Sequence, residues 1–252
     1  KMGGTIFRAP KYNGKNHFYY INWWDKFFKE NHKYHILHSH LRSLASLYIP
    51  IASSYGLITI AHSHSISNGK GIIGLFKDVM QRDVRDKADY LFACSENAGK
   101  WMFGKSVGER SNYRIIPNAI DSKKFLYNEE KRNKIRDNMG IGKSFVIGHV
   151  GRISKVKNQL FLLDVFKLIH RKNLNSRLLL IGDGELRKEL ERKIKRLCLQ
   201  EAVILAGNRD NVQDYYQAMD VFVFPSLWEG LGIAVIEAQA NGLTCIVSDK
   251  VP

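Results

Sequence analysis

Ten short apolar runs, each followed by an amphipathic or charged stretch, recur along this 252-residue chain. That alternation restricts it to folds in which strands and helices take turns around parallel sheets. The first series of runs falls at 5–8, 34–38, 57–61, 90–94 and 114–116, and the second at 145–150, 177–181, 203–206, 221–224 and 244–247. Between the series lie Pro117-Asn118-Ala119-Ile120-Asp121 and a charged, core-poor stretch ending near Gly142-Lys143. No repeat of solenoid period and no low-complexity segment interrupts the pattern.

Two similar α/β domains are therefore expected: a Rossmann-like domain over 1–121, a linker region over 122–143 and a second Rossmann-like domain over 144–252, facing each other across a cleft. The first strand has no βα unit before it, and the chain stops at Val251-Pro252 just after a strand that should feed another element. The expectation is that the amino-terminal domain lacks its start and the carboxyl-terminal domain its end.

Composition adds exclusions. A hydrophobic content of 44% with 25% charged residues excludes disorder, and no apolar run approaches the roughly 18 residues of a membrane span. Cys94, Cys198 and Cys245 are scattered in apolar stretches, which points to reduced core thiols and a cytoplasmic setting. The balance of 39 basic and 24 acidic residues gives +15, a field that attracts a polyanion: nucleic acid, an anionic membrane surface or a phosphorylated substrate. Much of the excess lies on helices such as 186–197, where Leu186, Leu190, Ile194 and Leu197 form a buried stripe and the bases face water. No nucleic-acid-binding motif accompanies the charge, and no nucleic-acid partner is expected.

Four patterns mislead or stay open. Gly99-Lys-Trp-Met-Phe-Gly104-Lys105-Ser106 has Walker A spacing, but Ser95 is placed to cap a helix that Gly104 would end, so Trp101, Met102 and Phe103 belong to a helix. Gly69-Lys70-Gly71-Ile72-Ile73-Gly74 has dinucleotide-fingerprint spacing yet comes well after its strand, and a loop over the cleft is its expected role. His38-Ser39-His40 and His62-Ser63-His64 both sit at strand ends, where paired His-x-His can hold zinc. No carboxylate or thiolate lies nearby in sequence to complete such a site, so no metal is expected, and His64 is retained as an acceptor-side residue. The aromatic helix 17–29 carries more rings than one core face absorbs; core packing and docking at a lipid interface both remain open for it.

The chemistry concentrates in the second series. After the run 221–224, Pro225-Ser226-Leu227-Trp228-Glu229-Gly230-Leu231-Gly232 turns into a helix that Gly242 stops. Gly230 and Gly232 leave N–H groups uncovered at that helix start, an anion site suited to a diphosphate. Glu229 stands in the turn and Glu237 farther along the helix, where a carboxylate can accept from two vicinal ribose hydroxyls. The run 145–150 leads into Gly151-Arg152 and on to Lys157-Asn158, which offer a planar fork and a point charge for two phosphates without a metal.

With these residues on the page, the chain resembles the retaining glycosyltransferases of family 4, which have the GT-B fold and an E-x7-E signature, here Glu229 and Glu237 (237 − 229 = 8). The likeness runs in order from Ile36-Leu37-His38-Ser39-His40 through Ala61-His62-Ser63-His64, Ala93-Cys94-Ser95-Glu96 and Ile116-Pro117-Asn118-Ala119-Ile120-Asp121. It continues through Gly148-His149-Val150-Gly151-Arg152, Leu180-Ile181-Gly182-Asp183-Gly184 and Pro225–Gly230 to Val247-Ser248-Asp249, and is strongest to bacterial exopolysaccharide and capsule enzymes. Thr244 stands where the family often has proline, and the family's first glycine-rich loop and returning carboxyl-terminal helix are absent.

The resemblance implies roles. Arg152 and Lys157 match the basic pair on the donor diphosphate, beside Gly151; Glu237 matches the ribose ligand, and Glu229 the contact to the donor sugar. Gly230, Leu231 and Gly232 match backbone donors to the distal phosphate, Gly207-Asn208-Arg209 the region touching the base, and His64 a residue near the acceptor. The implied activity is transfer of a hexose-type sugar from a nucleotide-diphosphate donor, expected to be a UDP-sugar, to a glycan or lipid-linked acceptor. Configuration is retained by same-face attack or by double displacement, and no cofactor or metal is needed. Glu229, Arg152 and Lys157 are the expected catalytic group. The protein is expected in the cytoplasm, with a peripheral contact to anionic membrane as a further reading. The rivals are another GT-B enzyme, a phosphorylase or a sugar-nucleotide epimerase, and a non-catalytic polyanion-binding protein.

Overall fold

The computed structural model describes residues 3–64 and 72–251, side chains excepted at 72–78 and 82. The chain divides into two compact units at Pro117–Asn118, each built on one parallel sheet.

In the first unit, α1 (His17–Glu30) precedes β1 (Ile36–Ser39), α2 (Ala45–Ser54), β2 (Ile58–Ser63), α3 (Ile72–Lys87), β3 (Tyr90–Ala93), α4 (Glu96–Phe103) and β4 (Tyr113–Ile115). The sheet order is β1-β2-β3-β4, every pair parallel, as right-handed crossovers through intervening helices produce. The expected strand at 5–8 does not form. Ile6 is 86% exposed, and Phe7 sets its ring edge-on to Phe27 at 5.1 Å, so this apolar run packs on α1 rather than joining the sheet.

The aromatics of α1 are partly core and partly exposed. Tyr20 and Phe28 are buried and Trp24 stacks on Tyr48 at 4.5 Å, while Phe18 and Tyr19 face solvent at 82% and 62% exposure. On α4, Ser95 caps the helix by accepting from the Ala98 N–H at 3.2 Å, and Gly104 ends it at φ +100°. Gly99 is a packing glycine, not a phosphate-loop glycine: a Cβ there would lie 2.1 Å from the Tyr113 hydroxyl. The Gly69–Gly74 motif lies outside the described residues up to Gly71, where α3 begins at Ile72.

The second unit runs α5 (Glu129–Asn138), β5 (Phe145–Val150), α6 (Gln159–Lys172), β6 (Ser176–Ile181), α7 (Arg187–Arg196), β7 (Val203–Gly207), α8 (Val212–Gln217), β8 (Val221–Phe224), α9 (Ile233–Ala240) and β9 (Thr244–Val247). Its order, β7-β6-β5-β8-β9, reverses between β5 and β8. Both faces are covered, so the strands are apolar throughout rather than alternating. Val146, Leu179, Ile181, Phe222 and Phe224 pack with Tyr216, Val235 and Ala238 on one side; Ile147, Leu178 and Leu180 pack with Leu162, Leu163, Phe166, Leu190 and Ile194 on the other.

The expected linker, 122–143, is instead built into this unit. Arg132 donates to the Gln217 and Met219 carbonyls and pairs with Asp220; Arg136, nearly buried, donates to the carbonyls of Gly142, Ser144 and Ala218. Its charge hid that role, because the buried groups are paired guanidiniums rather than apolar side chains. Cys198 likewise departs from expectation: it sits exposed at φ 56° just past α7, while Cys94 is buried and Cys245 half-buried. Among the described residues no helix is long and apolar enough to cross a membrane.

Candidate functional site

The carboxyl ends of β5 and β8 flank the point where the strand order reverses, the place where parallel α/β sheets open a crevice for ligands. Three short links hold the loops there. The Leu227 N–H donates to the Val156 carbonyl at 2.8 Å, Asn158 Nδ2 to the Pro225 carbonyl at 3.2 Å, and the Ser248 hydroxyl to the Ser226 carbonyl at 2.5 Å. Asn158 adopts left-handed φ 58° to enter α6, a conformation asparagine tolerates better than most residues.

These links bring Lys157 and Glu229 together across 72 residues of sequence: Nζ lies 2.7 Å from Oε1, with side chains only 21% and 13% exposed. The ammonium also sits 4.4 Å from the centre of the Phe224 ring, a cation–π contact that strengthens as water is excluded. Gly151 makes room for it; a Cβ there would touch the Lys157 methylenes at 3.3 Å. Beyond Glu229, Gly232 is the N-cap of α9 and supplies no side-chain cap; the Ile233 N–H donates to the Leu231 carbonyl and the Val235 N–H to that of Gly232.

A buried polar chain, not anticipated from the sequence, supports Lys157 from below. His149 Nδ1 must carry the proton, because it faces the Val223 carbonyl at 2.9 Å, leaving Nε2 to accept from Gln159 Nε2 at 3.1 Å. The same Gln159 amide donates to the Arg152 carbonyl at 2.9 Å, and its oxygen accepts from the Ser154 N–H. Complete burial, with the Lys157 charge adding to it, pushes His149 down to about 4. A lowered folded-state pKa means stability that is complete above the ordinary histidine pKa and is lost as pH falls towards the folded value. Acidification from pH 6.5 to pH 4 is therefore expected to cost about 3 kcal/mol through His149. Urea unfolding of His149→Gln across that range checks this: the acid slope should shrink, and an unchanged slope would refute the assignment.

Arg152 does not join Lys157; it reaches out to Glu185 at 3.0 Å with 73% exposure, and it lines an open groove of about 850 Å³ with Gly151, Gly182, Asp183, Gly184, Asn208 and Arg209. The wall of this groove is main chain in close approach. A Cβ on Gly182, at φ +127°, would fall 2.2 Å from the Gly151 carbonyl oxygen, and one on Gly184 2.2 Å from that of Ile153. Arg209 donates to the Ala206 carbonyl at 2.8 Å and lies over the Tyr215 ring.

Glu237 lies one helix turn beyond the start of α9, where its Oε2 accepts from the Tyr216 hydroxyl at 2.8 Å. Half-burial raises its pKa, and the Tyr216 hydrogen bond works against that rise. Tyr216 was missed as a site residue because a tyrosine in the run Tyr215-Tyr216 looks like core, which it also is.

His64 belongs to the other unit, at the end of β2, where Nε2 meets His40 Nδ1 at 2.6 Å; His38 Nε2 meets His62 Nδ1 at 3.1 Å. Desolvation, then the neighbouring imidazoles, lowers His38, His40 and His62, the last to about 4. The sequence kept one of these four histidines, whereas the fold gathers all of them.

Residues 130–252 match the family model described as glycosyl transferases group 1. The chain is 32% identical over 257 residues to the putative glycosyltransferase EpsF of Bacillus subtilis, covering 99% of this chain and 66% of that one. It is 38% identical over 139 residues to a UDP-Gal:alpha-D-GlcNAc-diphosphoundecaprenol alpha-1,3-galactosyltransferase of Escherichia coli, covering 54% and 36%. Among solved structures, Anabaena HepE in complex with UDP and glucose superposes with a TM-score of 0.78 at 21% identity, covering 96% of this chain and 66% of that one. WaaG, a glycosyltransferase involved in lipopolysaccharide biosynthesis, gives 0.75 at 17%, covering 97% and 68%. Less than two thirds of the length of either curated relative is thus spanned.

Proposed function

We propose that this chain, which carries a group 1 glycosyltransferase domain over 130–252 on a fold matching GT-B glycosyltransferases, transfers a sugar from a nucleotide-diphosphate donor in polysaccharide synthesis. The single observation that carries the reading is the Lys157–Glu229 pair held beside the uncapped start of α9. A sheltered cation and a helix N-terminus carry positive potential, with Arg152 in the neighbouring groove, a combination that suits a departing diphosphate.

Without donor, Glu229 neutralises Lys157. With donor, the ammonium turns to phosphate and the carboxylate is released to hydroxyls of the sugar. Arg152 swings from its exposed partner Glu185 to the second phosphate, and Gly230, Leu231 and Gly232 supply backbone donors. The ribose hydroxyls go to Glu237, and the groove beside Asn208 and Arg209 takes the base, with uracil favoured because HepE binds UDP and the galactosyltransferase uses UDP-Gal. His64 serves the acceptor, a glycan or lipid-linked sugar, as for the diphosphoundecaprenol substrate named for that relative. Retention of configuration, a metal-free leaving group and a cytoplasmic enzyme complete the reading. The exposed Phe18 and Tyr19 on α1, in a chain of charge +15, suit peripheral contact with anionic membrane.

The test is a thermal-shift titration with UDP and a UDP-sugar panel, followed by an anomeric analysis of product by NMR. Nucleotide should raise Tm, and Glu237→Gln should abolish most of that rise. Its raised pKa makes the protonated form the one the fold favours, so its contribution to stability is present in acid and lost as pH rises through the folded value. The neutral glutamine should therefore leave Tm at pH 7.5 equal to or above wild type. Nucleotide shifts that survive Glu237→Gln would overturn the ribose assignment, and sugar release from donor without acceptor would favour an epimerase or phosphorylase.

A further inference from the structure

We propose that His38, His40, His62 and His64 form a binding site for one divalent transition-metal ion, zinc in the first place. The cluster follows from strand pairing. β1 and β2 run parallel with His38 opposite Ile60 and Ser39 opposite Ala61, and one further step along the same register sets His40 beside His62. Residues two apart on a strand share a face, so the twin His-Ser-His tripeptides place all four rings on one side at the carboxyl edge of the sheet.

Their spacing is that of a ligand shell. One ring nitrogen from each of His38, His40 and His62 lies within 4.8 Å of the other two, and the fourth ring stands 2.6 Å from His40 at its nearest nitrogen. Around a tetrahedral zinc bound at about 2.0–2.1 Å, neighbouring ligand nitrogens are about 3.3 Å apart. The His38–His62 separation of 3.1 Å already matches that, and the exposed rings of His38 and His40 can turn to close the rest.

His62 Nδ1, 3.1 Å from His38 Nε2, is the nitrogen His62 offers to the cluster, while its Nε2 is buried beside the Ile116 backbone. An all-imidazole set selects borderline ions such as Zn²⁺, Ni²⁺ or Cu²⁺ over Mg²⁺ and Ca²⁺. The sequence looked for a carboxylate or thiolate to finish each tripeptide; the parallel register makes each tripeptide finish the other. The site lies within the first unit and does not depend on the sugar-transfer reading.

The experiment takes chelator-treated protein at pH 7.5 and titrates ZnCl₂ by calorimetry, with MgCl₂ as control. One Zn²⁺ per chain is expected, with a Tm rise of about 5 °C at saturation and none with Mg²⁺. His38→Ala and His40→Ala, at exposed positions that spare the fold, should each weaken zinc binding by about 10-fold or more. His170→Ala, on α6, should leave it unchanged. The absence of stoichiometric zinc binding, or binding untouched in the His38→Ala/His40→Ala double variant, would overturn the proposal.

Discussion

Replacing Lys157 by alanine in the full-length protein is expected to lower kcat for sugar transfer by about 10²–10³-fold, the usual cost of deleting one preorganised group that stabilises developing charge. The geometry sets this expectation. Lys157 is held by Glu229 at 2.7 Å and by the Phe224 ring, beside the buried His149. Removing it takes away a cation sheltered from water, whereas Arg152, 73% exposed, has solvent to screen it. The deletion also strands the Glu229 carboxylate at 13% exposure, so the measurement should include Lys157→Ala/Glu229→Gln, which removes both charges. If transfer returns in the double variant, Lys157 acts mainly by neutralising Glu229. A rate within threefold of wild type for Lys157→Ala alone would sink the proposed mechanism.

Asp220→Ala is expected to destabilise the protein by about 3–5 kcal/mol, the range for breaking a buried, hydrogen-bonded charge pair by removing one partner. Asp220 accepts from the Val146 N–H at 2.7 Å at the start of β5 and pairs with both Arg132 and Arg136. Without it, the nearly buried Arg136 keeps only carbonyl partners, and α5 loses its charge anchor to the second sheet. The matching fall in Tm is on the order of 10 °C. Asp214→Ala, which removes a solvent-exposed pairing with Lys131 at 3.8 Å, should cost less than about 0.5 kcal/mol. Equal urea midpoints for the two variants would show that the network contributes nothing.

The parallel-sheet architecture was legible because a strand buried on both faces is a short continuous apolar run, and β5 and β8 were found to the residue. The run at 5–8, with only Ile6 and Phe7 apolar, failed, since whether such a segment pairs or packs is decided by a neighbour that its own letters do not encode. The donor-side candidates were legible as residue types, and Lys157 and Glu229 do meet. Their supports were not: Gln159 and Tyr216 act through partners 10 and 21 residues away, at spacings that match no local motif. The histidines show the same limit most clearly, because only the register of β1 on β2 turns two unremarkable tripeptides into one cluster.

The wall of main chain at Gly151, Gly182 and Gly184 bears on how such a protein can diversify. Side chains are shut out at Gly182 and Gly184 by backbone contacts of 2.2 Å, and at Gly151 a Cβ would press on the Lys157 methylenes at 3.3 Å. Side-chain variation in the groove is left to Arg152 and Asp183 beside the glycines and to Asn208, Arg209, Asp210 and Val212. A library that varies this groove should therefore leave Gly182 and Gly184 fixed and draw on those six side chains.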